Sequence, residues 1–362
     1  MSIELLPSQV ETDLRAVVRQ LLTERCQPAA VAAMYDGDRS VVEPLWKSVA
    51  GEVGLAGLLI PEAQGGAGAT AREAAAVLEE LGRAVAPVPY LTSSVIATTA
   101  LADSAGNLLA DLATGSQTAA LTVPFSTGPD DPLPVLSRAG ERRASGTVTS
   151  VAGAIEADHL LVLVDSHEGP ALGAVAAAEA SVLPVTSLDM SRQLADVTFD
   201  DAPVTILAEP GEAAVRRALL TGAALLAAEQ VGLARWCFEE TVAYLKVRTQ
   251  FGRVVGGFQA LKHRLADLYA EVEAASAAAA YAAATIATGE PDAVIAASVA
   301  QSYCSDAAVR AAEEAVQLHG GIGMTWEHPA HLYLKRAKAD QIALGTPGAH
   351  RARLATLVDL EC

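Results

Sequence analysis

Three alanine-rich stretches dominate the C-terminal part of this chain, at 211–248, about 257–287 and about 291–318. Each is longer than about 25 residues, and short Gly- or Pro-bearing turns separate them. Alanine has the best helix propensity and lets helix axes approach closely, so these stretches read as packed antiparallel helices, the first long enough to contain a break. A shorter helix is expected at 329–343, completing a four-helix bundle. Upstream, 118–208 changes character. Short apolar runs at 119–123, 147–151, 160–164, 173–175 and 195–199 are punctuated by Gly, Pro, Asp and Ser, the pattern of strands. Residues 1–110 read as mostly helical. Ser8 opens a stretch with Val10, Leu14, Val17, Val18, Leu21 and Leu22 on one face, and Thr70 with Glu73 forms a capping-box candidate for a helix at about 71–85. The expectation is a mainly α fold with a central β-domain, divided at 1–115, 116–208 and 209–362. The absence of β-α-β alternation argues against a Rossmann sheet.

Charge and cysteine usage narrow the function. With 25 Lys+Arg against 43 Asp+Glu the net charge is −18, which gives no general attraction to nucleic acid or anionic membranes. Cys26, Cys237, Cys304 and Cys362 have no metal-ligand spacing and read as three apolar fillers plus a C-terminal thiol. The first residues lack a basic n-region and no apolar run reaches membrane-span length, so a soluble, cytoplasmic protein is expected.

Two segments carry chemistry. In 244–253 a helix runs into Arg248-Thr249-Gln250-Phe251-Gly252, and Gln259 opens the next helix. A guanidinium beside helix-start N–H groups suits a pyrophosphate, and Phe251 offers a face to an adenine or ribose. In 317–323, Gln317-Leu318-His319-Gly320-Gly321-Ile322-Gly323 ends a helix in a loop that lets a ligand approach the backbone. On the residues alone, a capped helical hairpin and a plain glycine C-cap stay open as alternatives.

Taken together these segments resemble the acyl-CoA dehydrogenases, flavoenzymes that introduce a Cα=Cβ double bond into an acyl-CoA thioester. Residues 248–252 look like the family's R-x-x-F-G signature, with Gln259 at the expected spacing. Residues 317–323 look like its Q-x-x-G-G-x-G loop. Leu58-Leu59-Ile60-Pro61-Glu62 and Leu78–Arg83 look like its N-terminal domain. The resemblance implies FAD, an acyl-CoA substrate and electron-transfer flavoprotein as acceptor. It also implies that Arg248, Gln250, Phe251, Gln259, Gln317, Gly320, Gly321 and Thr346 touch the cofactor, with the ADP end clasped across a subunit interface.

The departures are as informative. The family's usual base, the Glu of a Y-E-G-T segment, aligns with Leu344 in Ala343-Leu344-Gly345-Thr346, and the alternative position, 26 residues before Arg248, is Gly222. The flavin-cup strand aligns with Ala120-Leu121-Thr122-Val123-Pro124, where Val123 replaces a Glu, and the W-I-[ST]-N segment has no counterpart at 145–153. The resemblance therefore implies a non-catalytic subunit of an α2β2 enzyme, like those acting on steroid side chains, which lends the ADP-binding half of the FAD site to a homologous partner carrying the Glu. Two alternatives are an active homo-oligomer using a displaced base such as Glu229, and a non-enzymatic acyl-CoA-binding protein. Asp340, near Lys335, Arg336 and Lys338, reads as a surface ion-pairing residue. His263 and His319 read as structural hydrogen-bond donors, and His350-Arg351 as contacts to a CoA phosphate or a partner helix.

Overall fold

The computed structural model describes residues 4–104, 107–138, 140 and 142–360. Helix α1 (Gln9–Arg25) starts at Ser8, whose hydroxyl accepts from Glu11 N–H while the Glu11 carboxylate reaches back to Ser8 N–H. Helix α4 (Ala71–Arg83) opens on the expected Thr70–Glu73 capping box. Between them lie α2 (Pro28–Ala33) and α3 (Val42–Trp46), which continues as one wide turn to Glu52. The buried segment Tyr90–Ala97 winds as a wide helix into α5 (Thr98–Leu101), and α6 (Leu108–Ala113) follows.

The β-domain holds two four-stranded sheets. One contains β1 (Ala119–Leu121), β4 (His159–Val164), β5 (Ala171–Ala176) and β8 (Thr205–Ala208), in the order β1-β4-β5-β8. The other contains β2 (Ser137–Arg138), β3 (Arg143–Ala152), β6 (Ser181–Pro184) and β7 (Leu194–Pro203), in the order β2-β3-β7-β6. β1 and β4 are parallel and the other pairings antiparallel. An apolar cluster including Leu160, Val162, Val175, Val197 and Phe199 is shared by both sheets. Strands β2, β6 and β8 escape a sequence reading because they are only two to four residues long and exposed or half-buried.

Helix α7 (Glu212–Val247) is unbroken over 36 residues. It packs against α8 (Gln259–Thr288), α9 (Ala293–His319) and α4. Where α4 crosses it, a Cβ at Gly82 would strike the Glu229 carbonyl and one at Gly232 the Glu79 carbonyl, so both glycines are needed for the approach. Helices α10 (Ala330–Ile342) and α11 (Pro347–Leu357) close the bundle; α11 was not foreseen as a helix. Cys26, Cys237 and Cys304 are buried free thiols, and Cys362 lies outside the described residues. No described helix is long and apolar enough to cross a membrane.

Candidate functional site

The two empty base positions meet in space. A Cβ on Gly222 of α7 would come within 3.1 Å of Leu344 Cδ1 and within 2.8 Å of Ile96 Cγ1. Leu344 is 1% exposed and, with Thr92, Ile96, Leu121, Val123, Phe125, Ala152 and Leu219, lines a cavity of about 10 Å³. That is about the least space one water molecule occupies. The chain closes this region deliberately. Leu344, at φ +55°, donates its N–H to Phe125 O at 2.8 Å, and Gly345 N–H donates to Ser126 O at 3.1 Å. Phe125 N–H donates in turn to Ser150 O, tying the β1 extension to β3. His350 is buried and bonds through Nε2 to the Leu344 carbonyl at 2.9 Å; burial holds its imidazole below the ordinary range. It therefore pins the turn rather than facing a CoA phosphate, and Arg351 pairs with Asp306 at 3.0 Å. A space of about 10 Å³ admits neither a flavin ring nor a thioester.

Behind Phe125 lies a buried charge network. The Arg192 guanidinium sits 5.6 Å from the Phe125 ring centroid and pairs with Glu229 at 2.6 Å and Asp340 at 2.7 Å. Arg336, 1% exposed, donates to Glu229 at 2.6 Å, to Ser191 Oγ at 2.8 Å and to Asp189. Asp189 also caps the turn at 190–192, which fixes Arg192. Burial pushes the Glu229 carboxyl up, but Arg192 and Arg336 outweigh it and hold the group below the usual carboxylate range. A carboxylate stabilised in this way is a poor proton acceptor, and it lies about 10 Å along α7 from Gly222. The displaced-base reading of Glu229 finds no support in this geometry. Asp340 is wholly buried, correcting the surface reading; burial and the Glu229 charge push its carboxyl up to about 8. Arg336 is likewise buried, not a surface cation. The contribution of Asp189 and Arg192 was missed, because a D-M-S-R run between strands carries no periodicity that marks it as interior.

The second constellation is exposed. After α7, Thr249–Gln250 (β9) and Arg253–Val254 (β10) form a hairpin whose tip residues Phe251 and Gly252 have φ of +53° and +73°. Positive φ at both tip residues is the type I′ geometry, which Gly252 tolerates and Phe251 adopts at a cost of about 1–3 kcal/mol. Yet the Phe251 ring is 92% exposed, so no core contact offsets the strain. Arg253 stacks on Phe258 at 4.2 Å, leading into Gln259 at the start of α8. Lys246, Arg248 and Lys262 are exposed with no carboxylate in salt-bridge range among the described residues. The side-chain amides of Gln250, Gln259 and Gln317 are likewise unbonded there. Gln317 and Gly320–Gly321 reach the same end of the bundle, since Tyr244 of α7 stacks on His319 with centroids 4.5 Å apart. A Cβ at Gly320 or Gly321 would meet nothing within 4 Å, so the loop is open to an approaching group. Free cationic and amide donors around an exposed ring fit the nucleotide half of FAD. Thr346 spends its hydroxyl on capping α11, accepting from Ala349 N–H at 3.2 Å. His263 is exposed and makes no hydrogen bond among the described residues, unlike the structural role expected of it.

The fold agrees with comparison to known proteins. Residues 8–109 match the acyl-CoA dehydrogenase N-terminal domain and residues 210–358 the C-terminal domain. The chain belongs to the acyl-CoA dehydrogenase family of FAD-dependent oxidoreductases. Among its relatives, acyl-CoA dehydrogenase IpdE2 of Mycobacterium tuberculosis is 38% identical over 344 residues, covering 94% of this chain and 95% of the relative. A variant of the Tcur3481–Tcur3483 steroid acyl-CoA dehydrogenase superposes with TM-score 0.86 at 32% identity, covering 96% of this chain and 97% of that one. The ChsE4–ChsE5 complex of Mycobacterium tuberculosis gives TM-score 0.86 at 25% identity, covering 99% and 100%.

Proposed function

We propose that this chain is the nucleotide-clasping, non-catalytic subunit of a FAD-dependent acyl-CoA dehydrogenase, working as α2β2 with a homologous partner that carries the catalytic glutamate. The observation that carries this reading is the apolar seal in which Leu344 lies against Gly222 and leaves about 10 Å³. Both carboxylate positions of the family are replaced there, and no carboxylate among the described residues lines the cavity. The names of the two solved relatives, each given for two chains, support a heteromeric assembly, and the word steroid in the first supports a steroid thioester as substrate.

When bound between the subunits, FAD supplies the electron sink for α,β-dehydrogenation, with electron-transfer flavoprotein as the onward acceptor. This chain's part is binding. Arg248 neutralises the pyrophosphate, Gln250, Gln259 and Gln317 donate to it or to the ribose, Phe251 stacks on the nucleotide, and Gly320–Gly321 admit its close approach. The strained and exposed Phe251 makes sense as a group held for a ligand that the partner brings. We place the assembly in the cytoplasm and assign the division at 115 and 208 to the family's three domains.

The test is purification with and without a homologous, Glu-bearing subunit. Alone, the chain should retain little flavin and no dehydrogenase activity; co-purified, it should give a yellow complex with one FAD per heterodimer. Dye-coupled turnover of an acyl-CoA by the chain alone contradicts the reading. Acyl-CoA binding with no flavin gained from any partner points to the non-enzymatic alternative instead.

A further inference from the structure

At the end of the bundle that carries the glycine loop, three metal-ligating side chains converge from separate elements. Glu240 comes from the last third of α7, His319 from the final residue of α9, and His328 from the turn before α10. One ligand atom of each lies within 4.8 Å of the other two. The two imidazoles are close neighbours, with ring centroids 4.2 Å apart. We propose that Glu240, His319 and His328 form a binding site for a divalent transition-metal ion of zinc type, independent of the flavin chemistry proposed above.

The second observation is the state of His319. It is 3% exposed, its Nδ1 lies 2.7 Å from the Ala315 carbonyl, and its Nε2 is buried without a partner. A carbonyl only accepts, so Nδ1 carries the hydrogen and Nε2 is left as the ring atom available to a metal ion. This is the arrangement that metal-binding histidines use, with a backbone carbonyl fixing tautomer and ring orientation from behind. A buried lone pair facing nothing is otherwise an uncompensated cost. To ligate through Nδ1, His328 gives up only a long 3.3 Å bond from Ala330 N–H.

Two imidazoles and one carboxylate are a borderline donor set that favours zinc over calcium or magnesium. Half-exposed Glu240 leaves the fourth position open to water. Binding distances near 2.0–2.2 Å require the three groups to close by about 1 Å, which the side chains of Glu240 and His328 supply. Such an ion would pin the Gly320–Met324 loop to α7, two turns before Arg248, and so brace one arm of the clasp against the other.

The experiment uses the full, untagged chain stripped with chelator. Zn2+ is titrated against a chromophoric competitor, and Co2+ is added separately to read the visible absorption of a tetrahedral site. The expected result is one ion per chain and intense Co2+ bands lacking thiolate charge transfer. Glu240→Gln and His328→Gln, which alter partly exposed side chains, should each weaken binding by more than the roughly 10–100-fold that loss of an outer-shell partner costs. His319→Gln should abolish binding, and circular dichroism of each apo variant checks that the fold persists. Absence of saturable one-to-one binding, unchanged affinity in both surface variants, or a thiolate band overturns the assignment.

Discussion

Leu344→Glu restores the family's carboxylate at its aligned position, and the structure predicts that it restores nothing else. Leu344 is 1% exposed among Ile96, Leu219, Phe125 and Val123, and no cation among the described residues lines the cavity. The change forfeits the apolar burial of a leucine, about 1.5–3 kcal/mol, and buries a carboxylic acid without a partner, about 1–3 kcal/mol more. A loss of about 3–5 kcal/mol follows, on the order of 4–7 °C in melting temperature for a chain of this length. The sign of the pH dependence is fixed. The introduced carboxyl has a folded pKa above its unfolded value of about 4.3, so the folded state binds the extra proton and stability falls as pH rises from about 4. Thermal melts at pH 5 and pH 8 should show a larger deficit at pH 8, and the isolated variant should stay colourless and inactive with acyl-CoA and a dye acceptor. A variant that melts like wild type, gains flavin and turns over substrate alone would refute the filled-site argument.

Removing one partner from the buried network tests its energetics: Arg336→Met should cost about 3–5 kcal/mol by chemical denaturation at pH 7, because Asp189 and Glu229 lose their shared cation. Both carboxyls sit below their ordinary range in the fold, so this contribution is full above about pH 4 and fades as pH falls through their folded values; a deficit that fails to shrink in acid contradicts the assignment. Asp340→Asn works in the opposite sense. With its carboxyl raised to about 8, wild type should lose stability as pH climbs from about 4 through 8, and the variant should gain on it over that window; parallel pH profiles would show that Asp340 is not protonated in the fold. Arg248→Ala should leave the melting temperature unchanged yet weaken flavin retention by a co-purified complex roughly 10-fold or more, the worth of a charge-assisted contact, as read by fluorescence of released flavin.

Local rules made much of the architecture legible. Ser8 and Thr70 announce their helices because capping is a contact between residues three apart. The bundle helices were visible because alanine-rich runs between glycines leave few other folds. Helix α11 was hidden behind Thr346-Pro347, which reads as a turn until Thr346 is seen capping it. At the site, the vacancies at Gly222 and Leu344 were legible from alignment to a motif, but their contact across α7 and the turn before α11 was not, since no local rule joins residues 122 positions apart. Asp340 was misread for the same reason: its neighbours in sequence are cations, whereas its partner, Arg192, comes from the β-domain.

Flavin counted against polypeptide, in the isolated chain and in its complex with a Glu-bearing homologue, bears most directly on the central claim. A chain that grips only the nucleotide tail predicts near-zero occupancy alone and one FAD per two polypeptides in the active complex. One FAD per polypeptide in a catalytically active homo-oligomer would contradict it.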